Sequence, residues 1–502
     1  MPIHYSDEVP ESSAMREWWY NSLDAAVTLE LSEKLDAKNS SQPIYAFERA
    51  LQGPALDMML RGFRVDPIQR QNAIRYLEGV KIEVEEKLNR LAFAVWGKPL
   101  NPRSSDQLKE FLYDRLSLPE QFQNKKGVKS VSTARECLER LEDYWIARPF
   151  VNCVFAAREA SKKLGVLRTG VDADGRMRCT YNVCGTETGR WASSKNVFGR
   201  GTNMQNITEE LRRAFIADPG MLLLYVDGEQ AESRSVGFIL GCKHSDWRYL
   251  DACEAGDLHT TVTQMVWDNL EWTDDLSLNR SVADSPFYRH FSYRDMAKRG
   301  GHGTNYYGKD YTMAKHLKVP VGLITGFQRK YIPAFGLQKW WTGVQSSLMR
   351  DQSITTFVGR ERTFFGRPTD DSTLREAIAY EPQSTVGDLV NEGGYRVWKK
   401  FPEAQVLAQI HDAFLFQIPE RRAEELIPQI MSTFEVPVTS PTGSRTLRIP
   451  AEAMVGWNWS KQDPKKKTFS DGNPDGLTKW TGRLARKRVE HPETNLLDRV
   501  IR

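Results

Sequence analysis

Two short apolar runs, far apart in the chain, each end in an aspartate and constrain the fold more than any other feature. Met221-Leu222-Leu223-Leu224-Tyr225-Val226 has strand length and ends in Asp227-Gly228, which reads as a buried strand carrying a carboxylate at its tip. Val406 to Ile410, then His411-Asp412, then Ala413 to Pro419 reads as a hairpin whose turn holds His411 and Asp412. Between the two lies a long helical stretch from about Gly256 to Lys399. The strands can still join one sheet and bring the carboxylates together. Two adjacent carboxylates repel and raise a pKa unless a cation sits between them, and magnesium suits all-oxygen ligation. Two such ions roughly 3.5–4 Å apart activate an attacking hydroxyl and neutralise a leaving pyrophosphate. The alternative is that each aspartate merely ends a strand or caps a turn.

A second constellation lies in the insertion. Arg294, Lys298, His302 and Tyr306 follow one another at four-residue spacing, so they share one face of a helix. The cations suit triphosphate oxygens and the rings suit a base or sugar. Gly300, Gly301 and Gly303 on the same helix each cost about 1 kcal/mol against alanine, and close approach of a ligand is the expected reason. The bland alternative is an exposed basic face with an irregular helix end.

A length of 502 residues suits about three domains or subdomains at ~150 residues each. With 40% hydrophobic and 27% charged residues the composition is that of an ordinary globular chain. The net charge of +4 is too small to identify a polyanionic partner. Lys465-Lys466-Lys467, Arg483, Arg486, Lys487 and Arg488 read either as phosphate contacts or as a solvated tail. The six cysteines, Cys137, Cys153, Cys179, Cys184, Cys242 and Cys253, lack zinc spacing and are expected to be buried free thiols. The start Met-Pro-Ile-His-Tyr-Ser has no secretion pattern and no run approaches the ~20 residues of a bilayer span, so a cytoplasmic protein with no membrane partner is expected. Helices are expected over about Met15 to Leu35, Ala46 to Leu60, Gln69 to Val95, Ser105 to Leu116 and Ser132 to Trp145, with a linker over Asp36 to Gln42.

The motifs then add up. Val226-Asp227-Gly228-Glu229-Gln230-Ala231-Glu232-Ser233-Arg234 resembles motif A of family A (DNA polymerase I-like) DNA polymerases. Arg294-Asp295-Met296-Ala297-Lys298, continuing to Tyr306, is similar to motif B, and Gln409-Ile410-His411-Asp412 to motif C. Thr188-Gly189-Arg190 and Asn203-Met204-Gln205-Asn206-Ile207 resemble the primer-template segment, Gly256-Asp257-Leu258-His259 resembles the segment whose histidine touches nucleotide phosphates, and Gln383 stands at the minor-groove glutamine. The resemblance runs from about Pro43 to Trp459, with the motifs in order.

That resemblance implies an α+β right hand: a palm with an antiparallel sheet, helical fingers and a helical thumb. Its expected divisions are 1–42, the remnant end of a 3′–5′ exonuclease-like domain; 43–165, thumb and connection; 166–255, first part of the palm; 256–399, fingers and return to the palm; 400–459, second part of the palm; and 460–502, a basic extension. It implies primer-template DNA and dNTPs as partners and two Mg2+ ions, replaceable by Mn2+, on Asp227, Asp412 and the Gly228 carbonyl. Lys298 would act in catalysis, and Arg294, Lys298, His302, Tyr306, His259, Gln230 and Glu232 would bind the nucleotide. Glu232 would be the steric gate against a 2′-hydroxyl. Arg190, Asn203, Gln205, Asn206, Gln383, His411 and Lys162 would contact DNA, Arg190 and Gln383 through minor-groove acceptors shared by all base pairs.

Four departures qualify the pattern. Motif C usually reads His-Asp-Glu, yet Ala413 follows Asp412, so Asp227 and Asp412 are expected to stand without a neighbouring carboxylate. His302 and Tyr307 stand where Phe or Tyr and Gly are usual. Tyr20-Asn21-Ser22-Leu23-Asp24 resembles the third proofreading-exonuclease motif, but the first two are missing. Tyr20 and Asp24 are then a remnant, or complete an exonuclease supplied by another polypeptide or replisome protein. A chain of this kind fits a phage or mobile-element replicase, or a repair enzyme. The rival readings are a single-subunit RNA polymerase, a catalytically silent DNA-binding homologue and a two-metal nuclease.

Overall fold

The two aspartate-tipped runs do pair. In the computed structural model, which describes residues 12–39, 43–125, 128–462 and 473–484, β1 (Met221–Gly228) lies at the centre of a five-stranded sheet. On one side stand β3 (Ala413–Pro419) and then β2 (Gln405–Ile410); on the other stand β4 (Ala451–Gly456) and then β5 (Thr478–Lys479). Every pairing is antiparallel. Leu222, Leu223, Leu224, Val226, Phe414 and Phe416 are fully buried, so both faces of the sheet are covered, which explains why these strands read as continuous apolar runs.

Helices make up most of the rest of the described chain. α1 (Ser13–Asn39) is the N-terminal helix; α2 (Pro67–Trp96) and α3 (Arg148–Leu167) lie side by side. Asp66 starts α2 by accepting the Ile68 and Gln69 N–H groups at 2.8 and 3.0 Å, with Pro67 in the first turn, and Gly97 ends it in the left-handed conformation at φ 72°. α4 (Ala231–His244) follows β1, and α5 (Leu258–Val266), α6 (Tyr293–Asn305) and α7 (Val321–Ala334) pack on one another around a separate core that includes Phe327, Tyr331 and Trp340. α8 (Asp371–Lys400) returns to the sheet against α4 and α9 (Ala423–Phe434). Gly393 and Gly394 permit this return, because a Cβ on the first would overlap the Phe434 carbonyl and one on the second would meet the Phe414 ring at 2.5 Å.

Several expectations change in detail. The stretch expected as one helix over Ser105 to Leu116 is a short α-helix, Ser105–Lys109, continued as a wider π-helix over Glu110–Arg115. The helix expected over Ser132 to Trp145 shortens to Arg135–Leu141, because Ser132 turns the chain by accepting the Ala134 N–H at 3.1 Å. α1 forms as expected, yet Met15, Trp18, Tyr20, Leu31 and Leu35 stay exposed rather than building a buried stripe. Helix persists through residue 39 where a linker was expected, and 40–42 lie outside the described residues. Cys137, Cys153, Cys179 and Cys253 are buried free thiols, whereas Cys184 is exposed and Cys242 half-buried.

Glycine substitutions test this packing. Gly393→Ala should destabilise the chain by about 1–3 kcal/mol through overpacking. Gly79→Ala, inside α2 with nothing within 4 Å of its added Cβ, should stabilise it by about 0.5–1 kcal/mol. Urea melts of the two variants should shift in opposite directions.

Candidate active site

Register places the carboxylates. Ala413 pairs with Asp227 across β3 and β1, so Asp412, one residue earlier in the hairpin turn, stands beside the end of β1. The turn is held open by His411 in the left-handed region at φ 53°, whose carbonyl accepts the Gln409 side-chain N–H at 2.6 Å. Burial and the neighbouring Asp412 push Asp227 up to about 6. Burial also raises Asp412, although the Arg190 guanidinium opposes the rise. A positive charge between the two would favour their ionised forms.

Arg190 supplies part of it. One Nη2 donates to Asp412 at 3.0 Å and to Glu232 at 2.7 Å. Glu232 also accepts the Tyr306 hydroxyl at 2.6 Å and faces His302 Nδ1 at 3.5 Å. Three expected site residues are thus gathered on one carboxylate. Arg190 itself rides on a loop seated over Arg360: Gly189, at φ 74°, would place a Cβ 2.5 Å from the Arg360 guanidinium carbon. Arg360 in turn is paired with buried Asp388 at 2.8 Å and with Glu48.

The expected isolation of the two aspartates needs revision. Ala413 does leave one flank of Asp227 bare, but Glu452 on β4 is its register partner on the other flank and contributes to the rise in its pKa. Glu452 is half exposed and paired with Lys479 at 2.7 Å. The signal was present as the lone acid in the apolar run Ala451–Gly456, but no spacing rule says which strand will lie next to β1.

The donor set fits divalent magnesium. Two carboxylates and the Gly228 carbonyl are hard oxygen donors, and the raised carboxylates are stabilised by a cation. Among the described residues no group of three or more His, Cys, Asp or Glu forms a closed cage. Magnesium does not need one, because it keeps waters and substrate phosphate oxygens in its shell.

A cavity of about 290 Å³ opens between β1 and α6, lined in part by Asp227, Asp412, Gln230, Glu232, His259, Lys298 and His302. α6 begins with a capping box between Ser292 and Asp295, which sets the helical phase that turns Lys298 and His302 to the cavity. Burial and Arg294 push the His259 imidazole down to about 4, so it is neutral at physiological pH. Arg294 was expected to grip phosphate; instead it forms a fork of 2.8 and 2.9 Å hydrogen bonds on Asp257. Asp257 also receives Arg280 at 2.7 Å and Thr260 at 2.7 Å. Although burial opposes it, these bonds, led by Arg294, hold the Asp257 carboxyl well below the usual range. Asp257 and Arg280 were not singled out from the sequence, since a clamp formed 37 positions apart leaves no local pattern.

The helix glycines have a different cause from the one expected. A Cβ on Gly300 would meet the Phe327 ring at 3.0 Å, one on Gly301 the Tyr331 hydroxyl at 3.0 Å and one on Gly303 the Met313 methyl at 2.7 Å. Neighbouring helices occupy the space first assigned to a ligand, although Gly301 also borders the cavity. Beside them Tyr249, Tyr331 and Asn305 share a buried network, with the two hydroxyls 2.7 Å apart.

The remaining candidates are more scattered. Gln230, at φ 53°, donates to the Gly256 carbonyl at 3.1 Å. Asn203 caps the turn at Gln205 N, and Gln205 bonds the Trp191 carbonyl at 2.9 Å and Gln409 at 2.8 Å, tying this segment to the Asp412 hairpin. Asn206, His411 and Lys162 are exposed, and Gln383 on α8 is half-buried. Tyr20 and Asp24 lie exposed on α1, and the residues between Lys465 and Lys467 and between Arg486 and Arg488 lie outside the described residues.

Comparison with known proteins agrees with this geometry. The family model described as DNA polymerase family A matches residues 74–461. The thermostable DNA polymerase I of Thermus thermophilus is 27% identical over 484 residues, which cover 90% of this chain and 53% of that protein. DNA polymerase I of Helicobacter pylori is 24% identical over 469 residues, 88% of this chain and 47% of that protein. The chain thus spans about half the length of these relatives. The POL domain of Pol1 from M. smegmatis, solved in complex with DNA primer-template and dNTP, superposes with a TM-score of 0.67 at 22% identity, over 89% of this chain and 75% of that one.

The raised carboxylate has a measurable consequence. Folded Asp227 keeps its proton up to about pH 6, against 3.8 for the ordinary group. The folded state therefore binds more protons between those values, and stability falls as pH rises through the window, with the full penalty above pH 6. Asp227→Asn removes the charge, so without metal it should exceed the wild type in stability above pH 6 by roughly 2–3 kcal/mol and match it below pH 4. Thermal melts in chelator at both pH values check this; an equal gap at both would contradict it.

Proposed function

Because the chain belongs to DNA polymerase family A, we propose that it copies a DNA template by adding dNTPs to a primer 3′ end with release of pyrophosphate. Its fold is the right hand of that family, with an antiparallel palm sheet and helical fingers and thumb. The observation that carries the proposal is the convergence of Asp227, Asp412, Glu232, Lys298, His302 and His259 on one cavity. A nuclease has no use for a cavity that sets Lys298 and two imidazoles on one side and two aspartates on the other.

Within this reading Asp227, Asp412 and the Gly228 carbonyl hold two Mg2+ ions, with Mn2+ an acceptable substitute. Bound metal would supply charge neutralisation and lower the pKa of the primer hydroxyl. Lys298, neutral His259 and Arg294, once released from Asp257, hold triphosphate oxygens, and Lys298 is placed to serve the leaving group. Glu232, fixed by Tyr306 and Arg190, lies beneath the sugar and leaves no room for a 2′-hydroxyl, which favours DNA over RNA synthesis. His302 and Gln230 border the sugar and base. Arg190, which bonds Asp412 in this structure, and Gln383 would both donate to the minor-groove acceptors of the primer terminus. Asn203, Gln205, Asn206, His411 and Lys162 line the duplex path.

The segments 43–165, 166–255, 256–399 and 400–459 correspond in this reading to thumb and connection, first palm part, fingers and second palm part. Residues 1–42 read as the end of an exonuclease-like domain, in which Tyr20 and Asp24 either survive as a remnant or complete an exonuclease supplied by another polypeptide or replisome protein; among the described residues they have no metal-binding cluster around them. No helix among the described residues is long and apolar enough to cross a membrane, in keeping with a cytoplasmic site of action.

Primer extension with all four dNTPs should require Mg2+, and Asp227→Ala should lower it about 1,000-fold or more while duplex affinity stays within a few fold. A wild type that incorporates nothing would refute the proposal. Glu232→Ala should reduce discrimination against rNTPs at least about tenfold, ~1.4 kcal/mol, measured as the ratio of kcat/KM for matched dNTP and rNTP.

A further inference from the structure

We propose that the turn from Asn196 to Arg200 presents Phe198, backed by Val197, as a stacking contact for a nucleobase of bound DNA. The inference rests on the polymerase reading above for the identity of the polymer. It adds a contact that neither the motifs nor the cavity includes.

The turn is pinned at every point except its tip. The Asn196 side chain accepts the Phe198 and Arg200 N–H groups, each at 3.0 Å. Its own N–H donates to the Arg200 carbonyl at 2.8 Å, and its carbonyl accepts the Gly199 N–H at 2.9 Å. Gly199 and Gly201 both take left-handed φ, at 71° and 76°. Arg200 ties the base to Asp172 at 2.9 Å, and Asp172 is held by Arg178 at 2.8 Å. On this rigid mount Val197 and Phe198 are 89% and 83% exposed. Turn positions favour Gly, Asn, Asp and Ser, and scattered exposed apolar residues are ordinary. Two adjacent ones on a turn that cannot fold them back under the surface are not.

Charge and position select the occupant. Exposed Lys195 precedes the pair, and an aromatic ring beside a cation matches a base beside a phosphate. The turn leads directly into Asn203, Gln205 and Asn206, and Gln205 is bonded to Gln409 of the Asp412 hairpin. A protein partner would need an apolar core on the order of hundreds of Å², and a two-residue tip offers far less. A single nucleobase needs one ring. The base can come from the duplex, by wedging at a step, or from the single-stranded template overhang.

The test uses the full chain with Phe198→Ala and Phe198→Trp, on a primer-template whose 2-aminopurine is moved through the duplex and the overhang. Phe198→Ala should weaken primer-template binding roughly 5- to 100-fold, the ~1–3 kcal/mol of one base–aromatic stack, and remove the quenching of 2-aminopurine at one position. Phe198→Trp should keep both within about twofold, and both variants should melt like the wild type. The position that loses quenching identifies duplex or overhang. Unchanged affinity and unchanged emission at every position in Phe198→Ala would overturn the inference, even with extension intact. A wild type that binds primer-template but fails to extend it, with binding weakened in Phe198→Ala, would instead refute the polymerase reading and leave the contact standing.

Discussion

Two half-buried carboxylates at the ends of adjoining strands repel each other, and the contacts around them answer that repulsion. The sheet cannot relieve it, because the register that sets Ala413 opposite Asp227 also sets Asp412 beside it. Arg190 eases it from one side and is itself oriented by Glu232, Tyr306 and the loop over Arg360. Removing one member of this chain of contacts would shift the rest, so the cost of any single truncation should not be read as the worth of one pair.

Much of the frame was legible in the sequence because it depends on short-range chemistry. Asp66-Pro67 and Gly97 bound α2 through backbone rules that act within four residues. The runs around Leu223 and Phe414 announce central strands since both faces are buried. The π-helical continuation over Glu110–Arg115 left no mark, because its apolar residues at Phe111, Leu112 and Tyr113 suit an α-helix equally well.

The site was legible in its members but not in its present partners. Four-residue spacing correctly grouped Lys298 and His302, yet it could not reveal that Asp257 would hold Arg294 or that Glu452 would stand beside Asp227. Those contacts are made by segments brought together only by the fold. The glycines of α6 show the same limit from the other direction. Their rarity in a helix signals close approach, but the sequence does not say whether a ligand or the rings of Phe327 and Tyr331 make it.

That packing also bears on how α6 can move. With no side chains at Gly300 and Gly301 to act as a spacer, the backbone of α6 rests directly on the stacked Phe327 and Tyr331 rings of α7, 5.1 Å apart, and Asn305 locks onto Tyr331 at 3.1 Å. The two helices are thereby coupled as one lever. A rotation of α6 that moves Lys298 and His302 must therefore swing α7 with it, since the shared rings leave no slack between the two helices.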